Sequence, residues 1–457
     1  MWTLRELKRA LGFDAVGKDA NLGRVSIDSR TLEDGDIYLA LKREKDGHDY
    51  IEDALDSGAS FAISERKEDE GDPQILVVDS TEKALDDLAD ARRDWAYLQR
   101  VAITGSVGKT TCKDMLSKSL GAYASVKSFN NHIGVPLTLA NIPKGQRFGV
   151  FEIGMNHPGE IVPLAELVKP HVAIITSVAP AHIGAFESVE DIAVEKFSIL
   201  RGLEQGGVLI TTSECYEAYK AYVPEGVKVL LVSSKEDANA DASVMSIKKG
   251  GNGYTLAVSV MNELFTLSVQ DVAPAFLTNA LLTLLCTKYL EAPMEKALAT
   301  LENYTPVEGR GNIEIVEGVT VIDDSYNANP MSMKAALERA LSMKSPAGQC
   351  YAIIGQMGEL GDMSEELHKS LAETVNQFDG AYVVGEDAKV LHDTLNAKVQ
   401  KGFFDQADDL PYDEISSHLH DGDIIVIKGS KVITYTTHVV KNLKTAIQNK
   451  TEEKHAV

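Results

Sequence analysis

The sequence predicts an α/β protein of three domains, spanning 1–99, 100–306 and 307–457. Three observations predict it. The 457 residues exceed what one core holds, at roughly 150 residues per domain. From residue 100 onward, short β-branched runs alternate with helix-like segments, the pattern of parallel α/β layers. An apolar helical stretch and then a Pro- and Gly-bearing linker divide those runs into two series.

In the first hundred residues, 37–41 and 75–78 read as strands, and 49–57 and 81–98 as helices. The first parallel series comprises 101–103, 148–153, 172–176, 208–212 and 227–232. The apolar stretch 276–290 reads as a helix, and 305–311 (Thr-Pro-Val-Glu-Gly-Arg-Gly) as the linker. The second series comprises 319–322, 351–354, 381–384 and 424–427. The last dozen residues read as a frayed charged tail.

Apolar residues at 44% and charged residues at 25% are those of a globular protein, which sets aside disordered and fibrous classes. No run reaches the 18 or so apolar residues of a membrane span, and the N-terminus lacks a signal-peptide pattern. A cytoplasmic monomer without membrane insertion is expected. The four cysteines lack C-x-x-C spacing and suit a reducing compartment, so no structural zinc is expected. A net charge of −23 repels nucleic acid, and any phosphate ligand must be held by local groups.

Such groups stand directly after the strand 101–103. Gly105, Ser106, Val107, Gly108, Lys109, Thr110 and Thr111 form a phosphate loop that opens an amphipathic helix. Glycines let backbone N–H groups approach phosphate oxygens, Lys109 adds a point charge, and Thr110 can ligate Mg²⁺. Ile103 stands where the common G-x-x-x-x-G-K-[ST] pattern begins with Gly. The only N-K-x-[DE] string, at 449–452, lies in the charged tail rather than after a strand, so ATP is favoured over GTP.

Glu152 ends a strand where open parallel sheets bind ligands, and a carboxylate there suits Mg²⁺. His182 follows another strand end; on its own it reads as a loop or core histidine, and Lys196 reads as a surface helix lysine. The segment 323–330 (Asp-Asp-Ser-Tyr-Asn-Ala-Asn-Pro) carries more hydrogen-bonding groups than a plain turn needs. Lys428 follows the strand 424–427 and opens a polar strand end, 428–431, equally readable as a solvated turn.

With these residues the chain resembles the Mur ligase family along nearly its whole length. The strings that carry the resemblance are 129–138 (FNNHIGVPLT), 152–156 with 159–161 (EIGMN, GEI) and 322–330 (IDDSYNANP). The resemblance implies a UDP-binding first domain, a central P-loop ATPase-like domain and a Rossmann-like C-terminal ligase domain. It implies ATP-dependent addition of D-alanyl-D-alanine to UDP-N-acetylmuramoyl-tripeptide through an acyl phosphate, in peptidoglycan precursor synthesis.

By the same resemblance, Lys109 and its loop hold the ATP phosphates, with Thr110 and Glu152 on one Mg²⁺. His182 and a carbamylated Lys196 serve a second Mg²⁺. Asn279 and Arg310 lie on the nucleotide. Ser29, Arg30, His48, Asn130, Asn131, Asp323, Tyr326, Asn327, Asn329 and Lys428 lie on the substrate. Ser177 stands where the family usually has Asn, Lys431 where it has Arg, and Phe276 where it often has the first Asn of an N-x-x-N pair. Another amide ligase of the superfamily, of the folylpolyglutamate type, and a nucleotide-dependent switch ATPase are the alternatives.

Overall fold

The computed structural model describes every residue except Met1, Val16, Gly17, Lys127, Asn252, Ala456 and Val457. Among the described residues, four sheets organise the chain. The first region holds four parallel strands in the order Val25–Ser26, Ile37–Leu39, Phe61–Ser64 and Ile75–Val77. Its helix Thr81–Trp95 begins at Ser80, whose side chain accepts from Lys83 N, and buries Ala84, Leu85, Leu88 and Ala89 at helical spacing. Ala84, Leu85 and Leu88 pack with Ile133 and with Leu137 and Ala140 of the helix Gly134–Ala140 that follows it, so the first region rests on the second. Trp2 Nε1 donates to Ala140 O at 2.9 Å across the same junction.

The second region is a nine-stranded sheet. Its parallel part runs Lys228–Ser233, Val208–Thr212, Val172–Ile175, Gln99–Thr104, Phe148–Glu152 and Tyr123–Ala124. Helices cover both faces, which explains the near-continuous apolar runs: Val101, Ile103, Val150 and Ile174 enter one core, and Ala102, Phe151, Ala173 and Ile175 the other. Each fully buried Val or Ile contributes about 1.5–3 kcal/mol. After Gln99–Thr104 the chain builds the sheet on one side, at 123–124 and 148–152, then crosses to the other at 172–175. The carboxyl ends of these strands therefore flank a topological switch point, where such sheets bind ligands.

Three antiparallel strands, Ala242–Gly250, Gly253–Val260 and Glu263–Val269, extend this sheet beyond the predicted series. Met261 and Asn262, with φ of 48° and 66°, make a two-residue turn of the primed kind that suits a hairpin.

The third sheet has the order Asn312–Val316, Val319–Asp324, Ile424–Lys428, Cys350–Gly355, Gly380–Val384 and Gln400–Phe404, with only the first strand antiparallel. The chain end corrects the sequence reading. Instead of a frayed tail, the helix Val439–His455 runs through most of this segment, anchored by Val439, Leu443 and Ile447 four residues apart in the third core.

Candidate active site

The phosphate loop leaves Gln99–Thr104 at Gly105, and the helix Lys109–Leu120 begins immediately after Gly108. Gly105 has φ +146°, and a Cβ there would lie 2.0 Å from Thr176 Oγ1, so only glycine lets the loop pass. The loop is laced to the segment after Val172–Ile175. Ser106 N donates to Ser177 O at 2.9 Å, Val107 N to Ser177 Oγ at 3.0 Å, and Ser106 Oγ to Ala179 O at 2.9 Å. Ser177 thus serves as an acceptor that fixes the loop's curvature.

Lys109 points its Nζ back to Gly105 O at 2.6 Å. Desolvation lowers its pKa from the ordinary lysine value; Glu152 opposes this, and Arg310 adds to it. Thr110 is the hub of the site. Its Oγ1 donates to the Glu152 carboxylate at 3.0 Å and accepts from an Arg310 guanidinium nitrogen at 3.3 Å. Glu152 is buried, takes Asn130 Nδ2 at 2.8 Å, and faces Lys113 Nζ at 3.5 Å. Lys113 is itself buried and bonded to Ser125 O at 3.1 Å. The sequence reading passed over it, although it sits one turn beyond Lys109 on the same helix face.

Lys196 is 1% exposed, far from the surface position its helix suggested. Its Nζ meets Met155 Sδ at 3.8 Å. Burial drives its pKa well below the ordinary value and Lys109 pushes the same way, while Glu195 opposes. Glu195 fixes this neighbourhood, accepting Gly159 N at 2.9 Å and Ile161 N at 2.8 Å. His182 lies in the left-handed region at φ +59°, its Nδ1 against the Glu359 carboxylate of the third region.

From the loop just before the third sheet, Arg310 lies over the Tyr326 ring at 4.0 Å and reaches Thr110. Asp323 holds Ser325 Oγ at 2.6 Å. Lys428, buried, ties Asp324 Oδ2 at 2.8 Å and Asn327 O at 2.9 Å, fixing the turn that presents Tyr326. The structure thus gathers the phosphate loop, Glu152, Asn130, Arg310 and Tyr326 at one place. Asn279 joins them from below: a Cβ on Gly108 would lie 2.9 Å from its buried Oδ1.

Other predicted residues are engaged in the fold. Asn329 caps the helix Pro330–Met343 through Ser332 N at 2.9 Å, and Asn131 Oδ1 accepts Gly134 N at 2.9 Å. His48 is buried, with Asp46 on Nδ1 at 2.6 Å and Glu65 N on Nε2 at 3.2 Å. Ser29 and Arg30 lie in a short turn of the first region, Arg30 exposed and paired with Asp28 at 2.7 Å.

Among the described residues no three His, Cys, Asp or Glu side chains are grouped to hold a metal ion. Thr110 and Glu152 are adjacent oxygen donors beside the loop, a partial set that fits Mg²⁺, which keeps waters and takes phosphate oxygens. His182 and the Lys196 amine supply no oxygen donor as they stand.

Similarity to known proteins extends along nearly the whole chain. The Mur ligase middle domain matches residues 103–287, and the Mur ligase glutamate ligase domain matches 309–431. A UDP-N-acetylmuramoyl-tripeptide--D-alanyl-D-alanine ligase of Rickettsia prowazekii is 31% identical over 444 residues, 94% of this chain and 97% of that protein. The enzyme of the same name from Escherichia coli is 31% identical over 85% of this chain and 87% of its own length. A crystal structure of MurF from Acinetobacter baumannii superposes with a TM-score of 0.83 at 29% identity, covering 97% of this chain and 99% of that one. A Thermotoga maritima MurF ligase structure in complex with ADP gives 0.82 at 26% identity, covering 93% and 98%.

Proposed function

The chain belongs to the Mur ligase family, and on that premise we propose that it uses ATP to join D-alanyl-D-alanine to UDP-N-acetylmuramoyl-tripeptide, giving the UDP-muramoyl-pentapeptide, ADP and phosphate. One observation carries the reading. The Thr110 hydroxyl is shared by the phosphate loop, the strand-end carboxylate Glu152 and Arg310 of the loop leading into the third sheet, so the nucleotide cradle and the ligase region meet at one atom.

Backbone N–H groups of 108–111, at the N-terminus of Lys109–Leu120, hold the phosphates, and Lys109 turns from Gly105 O to their charge. Thr110 and Glu152 would hold Mg²⁺, which neutralises phosphate charge when bound. Carbon dioxide adds to an amine in its neutral form, the form that burial favours at Lys196. The resulting carbamate would turn a nitrogen into an oxygen donor, and with His182 it would fit a second Mg²⁺.

The tripeptide carboxylate attacks the γ-phosphorus of ATP, giving an acyl phosphate and ADP. The amine of D-alanyl-D-alanine then attacks the acyl carbon and expels phosphate. Asn130 and Lys113 hold Glu152 in place, and Arg310 neutralises charge from the opposite side. Ser29 and Arg30 face solvent where a UDP group would lie, with His48 supporting that region from inside. The segment 323–330, presented by Lys428, faces the peptide end, while Asn279 supports the loop at Gly108. The functional units are 1–99, 100–306 and 307–457 of a cytoplasmic monomer; among the described residues no helix is long and apolar enough to cross a membrane.

The test is phosphate release with UDP-muramoyl-tripeptide, D-alanyl-D-alanine and ATP, omitting each in turn. Release that requires all three supports the reading. Sustained release without either acceptor substrate contradicts it and points to a simple ATPase.

A further inference from the structure

Two loops from different sheets meet at His182. One follows Val172–Ile175 and enters the short helix Ile183–Ala185; the other follows Cys350–Gly355 and enters Gly361–Met363. Gly184 N donates to Glu359 O at 3.0 Å, and the Glu359 carboxylate lies against His182 Nδ1, off the line of a hydrogen bond. The backbones touch. A Cβ on Gly184 would lie 2.8 Å from Gly361 N, and one on Gly361 would lie 2.9 Å from Gly184 Cα.

Both partners of the side-chain contact are strained. His182 at φ +59° and Glu359 at φ +63° are non-glycine residues in the left-handed region, kept only where surroundings over-determine them. Strain on both sides of one contact marks a junction held for its geometry rather than for packing. A carboxylate beside Nδ1 favours the imidazole tautomer with hydrogen there and leaves the Nε2 lone pair for a ligand.

We propose that Glu359 is a positioning residue: carried by the third region, its carboxylate sets the ring of His182 in the second region, and does so only while the two loops are docked. The proposal rests on the functional reading above for what His182 then binds, but not for the contact itself. The ligase region thereby controls a residue of the nucleotide region, so a chain with its third region undocked has an unset histidine.

The experiment uses the full chain labelled with ¹⁵N-histidine, with the His182 ring signals assigned by loss in His182→Gln, for the wild type, Glu359→Ala and Glu359→Gln. Glu359 is 59% exposed, so these variants keep the fold, which matching thermal melts verify. The wild type is expected to show the Nδ1–H tautomer of His182, and Glu359→Ala to lose that preference. In the same variant kcat falls about tenfold or more, while KM for each substrate moves less than about threefold. Glu359→Gln, which keeps an acceptor without charge, falls between. Unchanged His182 ring signals in Glu359→Ala overturn the proposal whether or not turnover falls, and wild-type kcat in that variant overturns it too. A wild type that turns over no substrate sinks the functional reading instead, while the ring signals still decide the role of Glu359.

Discussion

Replacing Lys109 by Met separates what this side chain does for the fold from what it does for the reaction. Its Nζ donates to Gly105 O at 2.6 Å, and desolvation works against its charge. A charged hydrogen bond contributes about 1.5–3 kcal/mol, and the desolvation of a crowded cation removes a similar amount. The Met side chain keeps the stem's packing, so the net stability change is about 1 kcal/mol or less, a melting shift of no more than about 2–4 °C. Turnover behaves differently. Loss of one group aimed at developing phosphate charge costs about 10²–10³ in kcat, or about 3–4 kcal/mol of transition-state stabilisation. The assay pairs calorimetric melting with phosphate release at saturating substrates. Turnover within about tenfold of wild type in Lys109→Met would refute the assignment, and a collapse of the melting transition would show that the lysine serves the fold instead.

Three more outcomes are expected. Gly105→Ala forces a Cβ to 2.0 Å from Thr176 Oγ1 at φ +146°, so strain and overpacking together lower stability by about 2–6 kcal/mol in urea unfolding; a wild-type midpoint contradicts the loop geometry. Lys196→Ala abolishes turnover and, by emptying a fully buried site, also lowers the melting temperature, while short carboxylates partly restore activity; full activity in the unrescued variant rules out the carbamate role. Lys42 and the Thr81 N–H hold the Glu65 carboxyl down to about 2 from 4.5, so its stabilisation is complete above about pH 4.5 and is lost as pH falls through about 2. Glu65→Gln should therefore lose less stability than wild type across that acid interval, and identical acid slopes would disprove the contribution.

The phosphate loop and Glu152 were legible because strand, loop and helix follow one another in the chain, and each residue's chemistry is set by its place at a strand end. Lys196 was not legible on its own. Its helix buries Ile192, Ala193, Glu195, Lys196 and Phe197, around too much of its circumference for a polar face to stand out. Lys113 and Glu359 escaped notice because burial and partner depend on contacts from Ser125, Glu152 and His182, which no local pattern encodes. The strands within 242–269 were missed because half-buried antiparallel strands dilute the apolar pattern with Ser, Thr and Lys, leaving Ile247 and Leu264 exposed; the Met261-Asn262 turn was the available signal. The C-terminal helix was hidden by its charges, although Val439, Leu443 and Ile447 already marked a buried stripe.

The most direct measurement of the central claim follows oxygen. With the terminal carboxylate of UDP-muramoyl-tripeptide labelled with ¹⁸O, attack on the γ-phosphorus beside Lys109 and Thr110 places a carboxylate oxygen in the acyl phosphate bridge, and amine attack then expels it with phosphate. The account predicts one labelled oxygen in each phosphate released, dependent on D-alanyl-D-alanine. Phosphate released with the pentapeptide but free of label would mean that the carboxylate never reached the phosphorus, and the mechanism assigned to this site would be wrong.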